Sequence, residues 1–467
     1  MTRSLHDLIL ARRTSATKFS RLILAVSLVC ILQAESSAEG IPSVVGEQAN
    51  VADSQQESQS PSSVQGVNVE AGVRVVPREW FGGDLPWWEW STLTGDWGGW
   101  RSRLKDAGIA VEGSHVLDWS HVASGGIRKR STFQNFVDLR LTVDLKPLLA
   151  LDAGTIWARY YAFFGRNASR DVGDIQGFAN IDSDRPRHQL AELWYEQRFI
   201  NESLRLKVGK VDANTEFAFA ENAAEFINSS MGFSPTIFTL PTYPDPAMSV
   251  NLFVYPTEKL YAGFGAYDGA GQRGIQTGSR GPATFFKGLN RLFYIGEVGG
   301  RWQIEKFKLP GRLGIGGWHH NSSFDRFDDG TKSGSAGFYL ALDQTIWRAE
   351  SSTEDKPQGI GMFFQFGVAD GAVSEIKRHL GGGLIWRGPV SGRNDDALGW
   401  GLTWVRLSGA VGAGFDKSYE LSVESFYKIQ ITPWFRAKPD LQYIVNPSGA
   451  RGVKNALVST LRFELTF

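Results

Sequence analysis

Glu192, Trp194, Glu196 and Arg198 recur at every second position, and Arg205 and Lys207 repeat the spacing a few residues on. A period of two places such side chains on one face of an extended strand. Trp157 and Arg159 follow the same rule on a preceding stretch. Charge of both signs and indole rings thus concentrate on one wall. Two carboxylates near each other invite comparison with a glycosidase, but Glu192 and Glu196 would stand about 13 Å apart along an extended backbone. That exceeds the usual separation of such a pair. His319 and His320 are adjacent on a predicted strand and face opposite ways, so they cannot share a metal from that element. The chain has no His-Glu-x-x-His, Gly-x-Ser-x-Gly or phosphate-loop pattern. No catalytic residue, cofactor or metal is therefore expected, and a barrel hydrolase is the disfavoured alternative. What remains is binding. Lys210 and Asp212 lie where a strand gives way to the connection 212–247, which carries Glu216, Phe217, Phe219 and Asn228 and ends in a Pro-rich exit. A connection of that length is usually functional or disordered. It either folds inward as a constriction or rests outside against a neighbouring subunit.

The elements that position these residues follow from the same period. At the C-terminus Leu457, Ser459, Leu461, Phe463, Leu465 and Phe467 alternate with Val458, Thr460, Arg462 and Glu464. One face suits lipid and the other water, the signature of a transmembrane strand. Val137, Leu139, Leu141 and Val143 face away from Asp138, Arg140, Thr142 and Asp144 in the same manner, and Leu421 to Ile431 away from Glu420 to Gln430. About sixteen such stretches run from 109–119 to 455–467, an even number as bacterial barrels require. Those near 259–267 and 379–388 are glycine-heavy and carry a weaker signal. Connections after even-numbered strands are mostly tight and those after odd-numbered strands mostly long, as short periplasmic turns and long outer loops demand. The turns near 348–358 and 389–397 depart modestly. Trp386, Trp404, Trp434 and Phe435 near strand ends fit interfacial girdles. The fold class is all-β: a transmembrane antiparallel barrel of about sixteen strands with a short N-terminal helix.

Composition sets the surroundings. The 467 residues contain one cysteine, Cys30, inside the apolar run 22–32. That run is too short to span a bilayer as a helix. With Arg12, Arg13, Lys18 and Arg21 before it and Ser36-Ser37-Ala38 after it, residues 1–38 read as a secretory signal cleaved near Ala38. Removal leaves a slightly acidic chain without a thiol, and no basic run that would attract nucleic acid. Residues 39–90 read as a flexible, low-complexity linker and aromatic segment. Residues 91–108 read as a short helix capped by Thr94 or Asp96, with Trp97, Trp100 and Leu104 on one face and Gly108 at its end. It either narrows the periplasmic mouth or closes the barrel bottom. Residues 109–467 form the barrel.

Leu93-Thr94-Gly95-Asp96-Trp97-Gly98-Gly99-Trp100-Arg101, Glu192-Leu193-Trp194-Tyr195-Glu196, Gly209 to Phe217, Phe226 to Ser230 and Pro439 to Pro447 resemble, in order, blocks of the OprB family of carbohydrate-selective outer-membrane porins. The resemblance implies a sixteen-stranded channel in the bacterial outer membrane that passes sugars passively. The Ser/Gln-rich stretch before Trp80 is longer than such a channel needs. Expected partners are outer-membrane lipid, lipopolysaccharide and small sugars as permeants, with no nucleic acid; homotrimer and monomer both stay open. The pore-lining candidates are Trp157, Arg159, Glu192, Trp194, Glu196, Arg198, Arg205, Lys207, Lys210, Asp212, Glu216 and Asn228. Mixed signs suit a neutral polyol better than an ion. A general diffusion porin without sugar preference is the alternative, differing only in the constriction.

Overall fold

The structure, a computed structural model, describes residues 78–467 apart from 184, 282–290, 351 and 354–356. The expected signal and most of the linker lie outside the described residues. Strands run at Ile109–Gly126 (β1), Ser131–Asp144 (β2), Gly154–Gly165 (β3), Arg187–Phe199 (β4), Leu204–Val211 (β5), Ala247–Thr257 (β6), Leu260–Asp268 (β7) and Leu292–Ile304 (β8). They continue at Leu309–Asp325 (β9), Thr331–Arg348 (β10), Gly359–Ala369 (β11), Ile376–Arg387 (β12), Ala397–Leu407 (β13), Tyr419–Thr432 (β14), Phe435–Val445 (β15) and Lys454–Thr466 (β16). Each pairs with its sequence neighbours, and β1 pairs antiparallel with β16 to close the barrel. Closure satisfies every ladder group internally, which is why strands can cross lipid at all.

The alternation read from the sequence is the inside–outside division. Val458, Thr460, Arg462 and Glu464 are buried within, while Leu139, Leu141, Leu193, Phe264, Val298 and Leu441 stand exposed outside. Slipping one strand by a single residue would send its charges into lipid, so the register is strongly specified. The glycine-heavy stretches are strands too, and the inward positions of their neighbours explain the glycines. A methyl on Gly263 would lie 2.3 Å from the Phe253 ring, and one on Gly383 would lie 2.7 Å from the Phe363 ring. Bulky inward rings require bare backbone opposite them.

The N-terminal helix is shorter than 91–108. It spans Trp100–Asp106 (α1), preceded by a turn at Trp97–Gly99 in which Trp97 and Gly98 take positive φ. Trp97 therefore lies before the helix and cannot share a face with Trp100 and Leu104. The helix N-cap is Gly99, neither Thr94 nor Asp96, although the Asp96 Oδ1 accepts from the Ser102 amide in the first turn at 2.8 Å. Residues 78–96 are ordered against the rim, with Trp90 buried and the Leu93 amide donating to Thr466 O at 2.8 Å.

Candidate functional site: a charged constriction under inward-folded loops

The connection between β5 and β6 folds into the lumen. Phe217, Ala220, Phe226, Ile227 and Met231 on it are all buried. Its two ends are tied at Asp212, whose carboxylate accepts from the amides of Asn214 at 2.9 Å and Tyr243 at 3.2 Å. Burial, with the charge of Glu192 beside it, pushes the Asp212 carboxyl up to about 6. From there the loop crosses to the far wall, and the wall holds it by its backbone. Glu297 on β8 accepts from the Ala218 amide at 2.9 Å. Asp343 on β10 takes the amides of Glu221 and Asn222 at 3.0 and 2.8 Å. Glu424 on β14 takes those of Ile227 and Asn228 at 2.6 and 3.0 Å. A carboxylate gripping two amides is a charge-assisted contact, about twice as strong as a neutral one. Phe226 completes the docking with edge-on contacts to Phe363 and Phe426 at 5.3 and 5.0 Å.

A second loop, 166–186 between β3 and β4, lies beside it. Glu420 accepts from the amides of Ile175 and Gln176 at 3.0 and 3.2 Å, and Arg462 donates to Asn180 Oδ1 at 2.8 Å. The two loops bond to each other through Asn180 N to Ile227 O and Ser229 N to Gly177 O, both 2.8 Å. Sequence reading passed over this second loop, since its Asp, Asn and Gly content resembles an ordinary outer loop. The spacing of Ile175, Phe178 and Ile181 was the available signal; Phe178 and Ile181 are buried.

Charged side chains form paired clusters on the wall facing the first loop. Lys207 Nζ lies 2.6 Å from Glu216 and 3.2 Å from Glu196, and 3.7 Å from the centre of the Trp194 ring. Arg205 pairs with Glu216 and lies 4.3 Å from the Phe253 ring centre. Burial alone would raise the Glu216 carboxyl, but Arg205 and Lys207 hold it down at about 2. Above them Arg159 bonds Asp138 at 2.8 Å and Glu192 at 3.2 Å, while Trp157 stacks on Trp194 at 5.7 Å. Arg198 reaches Glu196 at 3.2 Å and Glu202 at 3.4 Å. Sequence reading missed Arg312 on β9, which pairs with Glu297 at 2.9 Å, donates to Tyr261 Oη at 2.8 Å and lies 3.9 Å from the Phe219 ring centre. Its inward parity was readable, but the glycine-rich run around it masked the pattern.

Two cavities flank the first loop. One, of about 400 Å³, opens toward the short turns and is lined by Arg198, Arg205, Glu216, Phe219, Tyr261 and Arg312 among others. The second, about 360 Å³, lies toward the long connections and includes Arg159, Tyr161, Asn180, Asp212, Asn228 and Tyr243. Thr215 lines both. Trp157, Glu192, Trp194, Glu196 and Lys207 line neither of these two cavities. Lys210 is turned away, its ammonium held by the carbonyl oxygens of Leu190 at 2.6 Å and of Gly278. No helix among the described residues is long and apolar enough to cross a membrane.

A closed sixteen-stranded barrel, apolar outside and charged inside, with loops folded across its lumen, is an outer-membrane porin. The chain belongs to the carbohydrate-selective porin, OprB family, whose family model matches residues 131–467. Porin B of Pseudomonas aeruginosa is 22% identical over 421 residues, covering 80% of this chain and 91% of that protein. A putative porin, QuiX, of Acinetobacter baylyi is 22% identical over 418 residues, covering 80% and 93%. The high-pH structure of Pseudomonas putida OprB superposes with a TM-score of 0.71 at 20% identity, covering 81% of this chain and 99% of that one. The chain is thus a sugar-selective porin of the bacterial outer membrane, a transporter by family, and sugars are its permeants.

Proposed function

We propose that sugars cross by passing from the cavity lined by Tyr161, Asn180 and Asn228 to the one lined by Phe219, Tyr261 and Arg312, through a neck at Thr215. The observation that carries this reading is that Thr215 lines both cavities. The lining supports selection for neutral polyols. Arg159, Arg198, Arg205 and Arg312 each already face a carboxylate. A sugar hydroxyl therefore exchanges water for one more donor or acceptor and needs no ion pair to break. Each such exchange nets roughly 0.5–1.5 kcal/mol, and the ring faces of Phe219 and Tyr261 offer apolar area to the C–H face of a pyranose. A few contacts give a dissociation constant in the millimolar range, about −4 kcal/mol. Transport needs affinity of that order, since a permeant must also leave. Trp157, Glu192, Trp194, Glu196 and Lys207 act in this reading as supports that fix the lining, and Lys210 anchors the loop. Each barrel works as its own channel whether it stands alone or in a trimer, and lipopolysaccharide lies against the rim of the long connections.

The test is liposome swelling with hexoses, disaccharides and amino acids of equal size. Thr215→Trp should stop the disaccharides and slow the hexoses. Unchanged sugar flux in that variant removes the Thr215 route, and equal rates for sugars and matched amino acids in the parent favour general diffusion.

A further inference from the structure

Outside the barrel, residues 78–100 carry more exposed aromatic surface than an ordered segment in water requires. Phe81 is 83% exposed, Trp88 62% and Trp100 61%. The backbone beneath them is fixed. Asp96 N donates to Glu79 O at 3.0 Å, Ser91 Oγ to Glu79 Oε2 at 2.6 Å, and Trp90 Nε1 to Leu85 O at 3.1 Å. These rings are therefore presented, not left over from a loose chain.

Their surroundings identify what they are presented to. Phe463 and Phe435 belong to the lipid-facing side of β16 and β15 and stack at 6.0 Å. Phe435 stacks on Trp434 at 6.2 Å, and Trp434 meets Trp87 at a tilt, 4.6 Å between ring centres. Trp434 Nε1 also donates to Trp87 O at 3.1 Å. A continuous run of rings thus leads from the membrane-facing wall into the N-terminal segment. Cations accompany the rings: Arg101 lies 4.4 Å from the centre of Trp97 and Arg103 5.4 Å from that of Trp100. Indole rings beside cations suit the level of lipid headgroups, where each ring keeps one apolar and one wet side.

We infer that residues 78–103 form a foot that rests in the headgroup region of the leaflet on the short-turn side, extending the barrel's contact with lipid beyond the strands. The partner is a phospholipid surface, with Phe81, Trp88 and Trp100 entering it and the exposed Arg103 facing its phosphates. An interfacial patch of this kind adds area without crossing the bilayer.

The only cysteine, Cys30, lies in the expected signal, so one introduced cysteine gives a single label in the processed chain. Trp88→Cys and Phe81→Cys, each carrying an environment-sensitive fluorophore, are reconstituted in phosphatidylethanolamine–phosphatidylglycerol vesicles containing headgroup-proximal spin-labelled lipid. Leu441→Cys on the lipid-facing wall and Val411→Cys on the opposite rim, 93% exposed, bracket the response. Both foot labels should shift to the blue and be quenched as strongly as Leu441, with single-channel conductance equal to the parent's. Quenching and emission equal to those of Val411 in both positions, with that conductance retained, overturn the inference. Because the readout is lipid contact and not flux, failure here leaves the sugar route untouched.

Discussion

Glu216→Gln tests how the loop and the charged wall work together. The Glu216 carboxylate is fully buried and bonds both Lys207, at 2.6 Å, and Arg205. Although burial opposes ionisation, these cations hold its carboxyl at about 2 against an ordinary 4.5. A difference of that size is worth about 3 kcal/mol, the lower end of the roughly 3–5 kcal/mol lost when one partner of a buried pair is removed. The barrel has many other supports, so the loss falls on the loop, whose local opening should increase about a hundredfold. Two readouts follow in planar bilayers. The neutralised position leaves Arg205 and Lys207 facing Glu196 alone, so the reversal potential in a salt gradient moves toward anions, most strongly at low ionic strength. Open-channel noise rises as the loop loosens. The pH dependence has a fixed sign. A carboxyl depressed in the folded state stabilises fully above about 4.5 and loses that contribution as pH falls through about 2. Acidifying the parent across that window should therefore reproduce the variant's noise, and the variant itself should change less there. A reversal potential equal to the parent's, with noise that is no higher, would refute the assignment of Glu216 as the counter-charge of the constriction.

Three further outcomes follow from other contacts. Arg462→Ala strands Asp118, its bidentate partner at 2.8 Å across the β1–β16 seam; the urea midpoint in micelles should fall by the equivalent of roughly 3–5 kcal/mol. Glu424→Gln replaces a charged acceptor for the Ile227 and Asn228 amides with a neutral one, costing about 1.5–3 kcal/mol. Cleavage within 212–246 by added protease should quicken while the barrel's thermal midpoint stays unchanged. Gly316→Ala would set a methyl 2.2 Å from the Tyr339 ring and 2.6 Å from Gly296 O, a backbone atom that cannot yield; overpacking of about 1–3 kcal/mol should lower the yield of refolded barrel.

The barrel was legible because its code is local. Lipid outside and water inside impose a period of two on every strand, and the stretch 455–467 is the strand Lys454–Thr466. The loop 212–247 stood out by length and aromatic content, and Asp212, Glu216 and Asn228 on it meet the wall or line a cavity. What stayed hidden is non-local. Glu297, Asp343, Glu420 and Glu424 sit at inward strand positions like any lumenal acid, yet each accepts from one or two backbone amides of an inner loop. A peptide N–H has no residue type to announce that contact. Parity likewise assigns Trp157, Trp194 and Lys207 to the lumen side, but not to or away from either cavity beside the loop, because that depends on where the loops settle. The N-terminal helix came out too long because positive φ at Trp97 and Gly98 has no apolar rhythm to betray it.

The amide grips at Glu297, Asp343 and Glu424 separate two tasks that proteins often entangle. At those three grips the wall holds main chain, whereas the surfaces proposed to meet a solute are side chains. A descendant of this chain, or an engineer, is therefore at liberty to exchange residues such as Thr215 or Phe219 and retune which molecules traverse the pore, while the moorings beneath stay as they are.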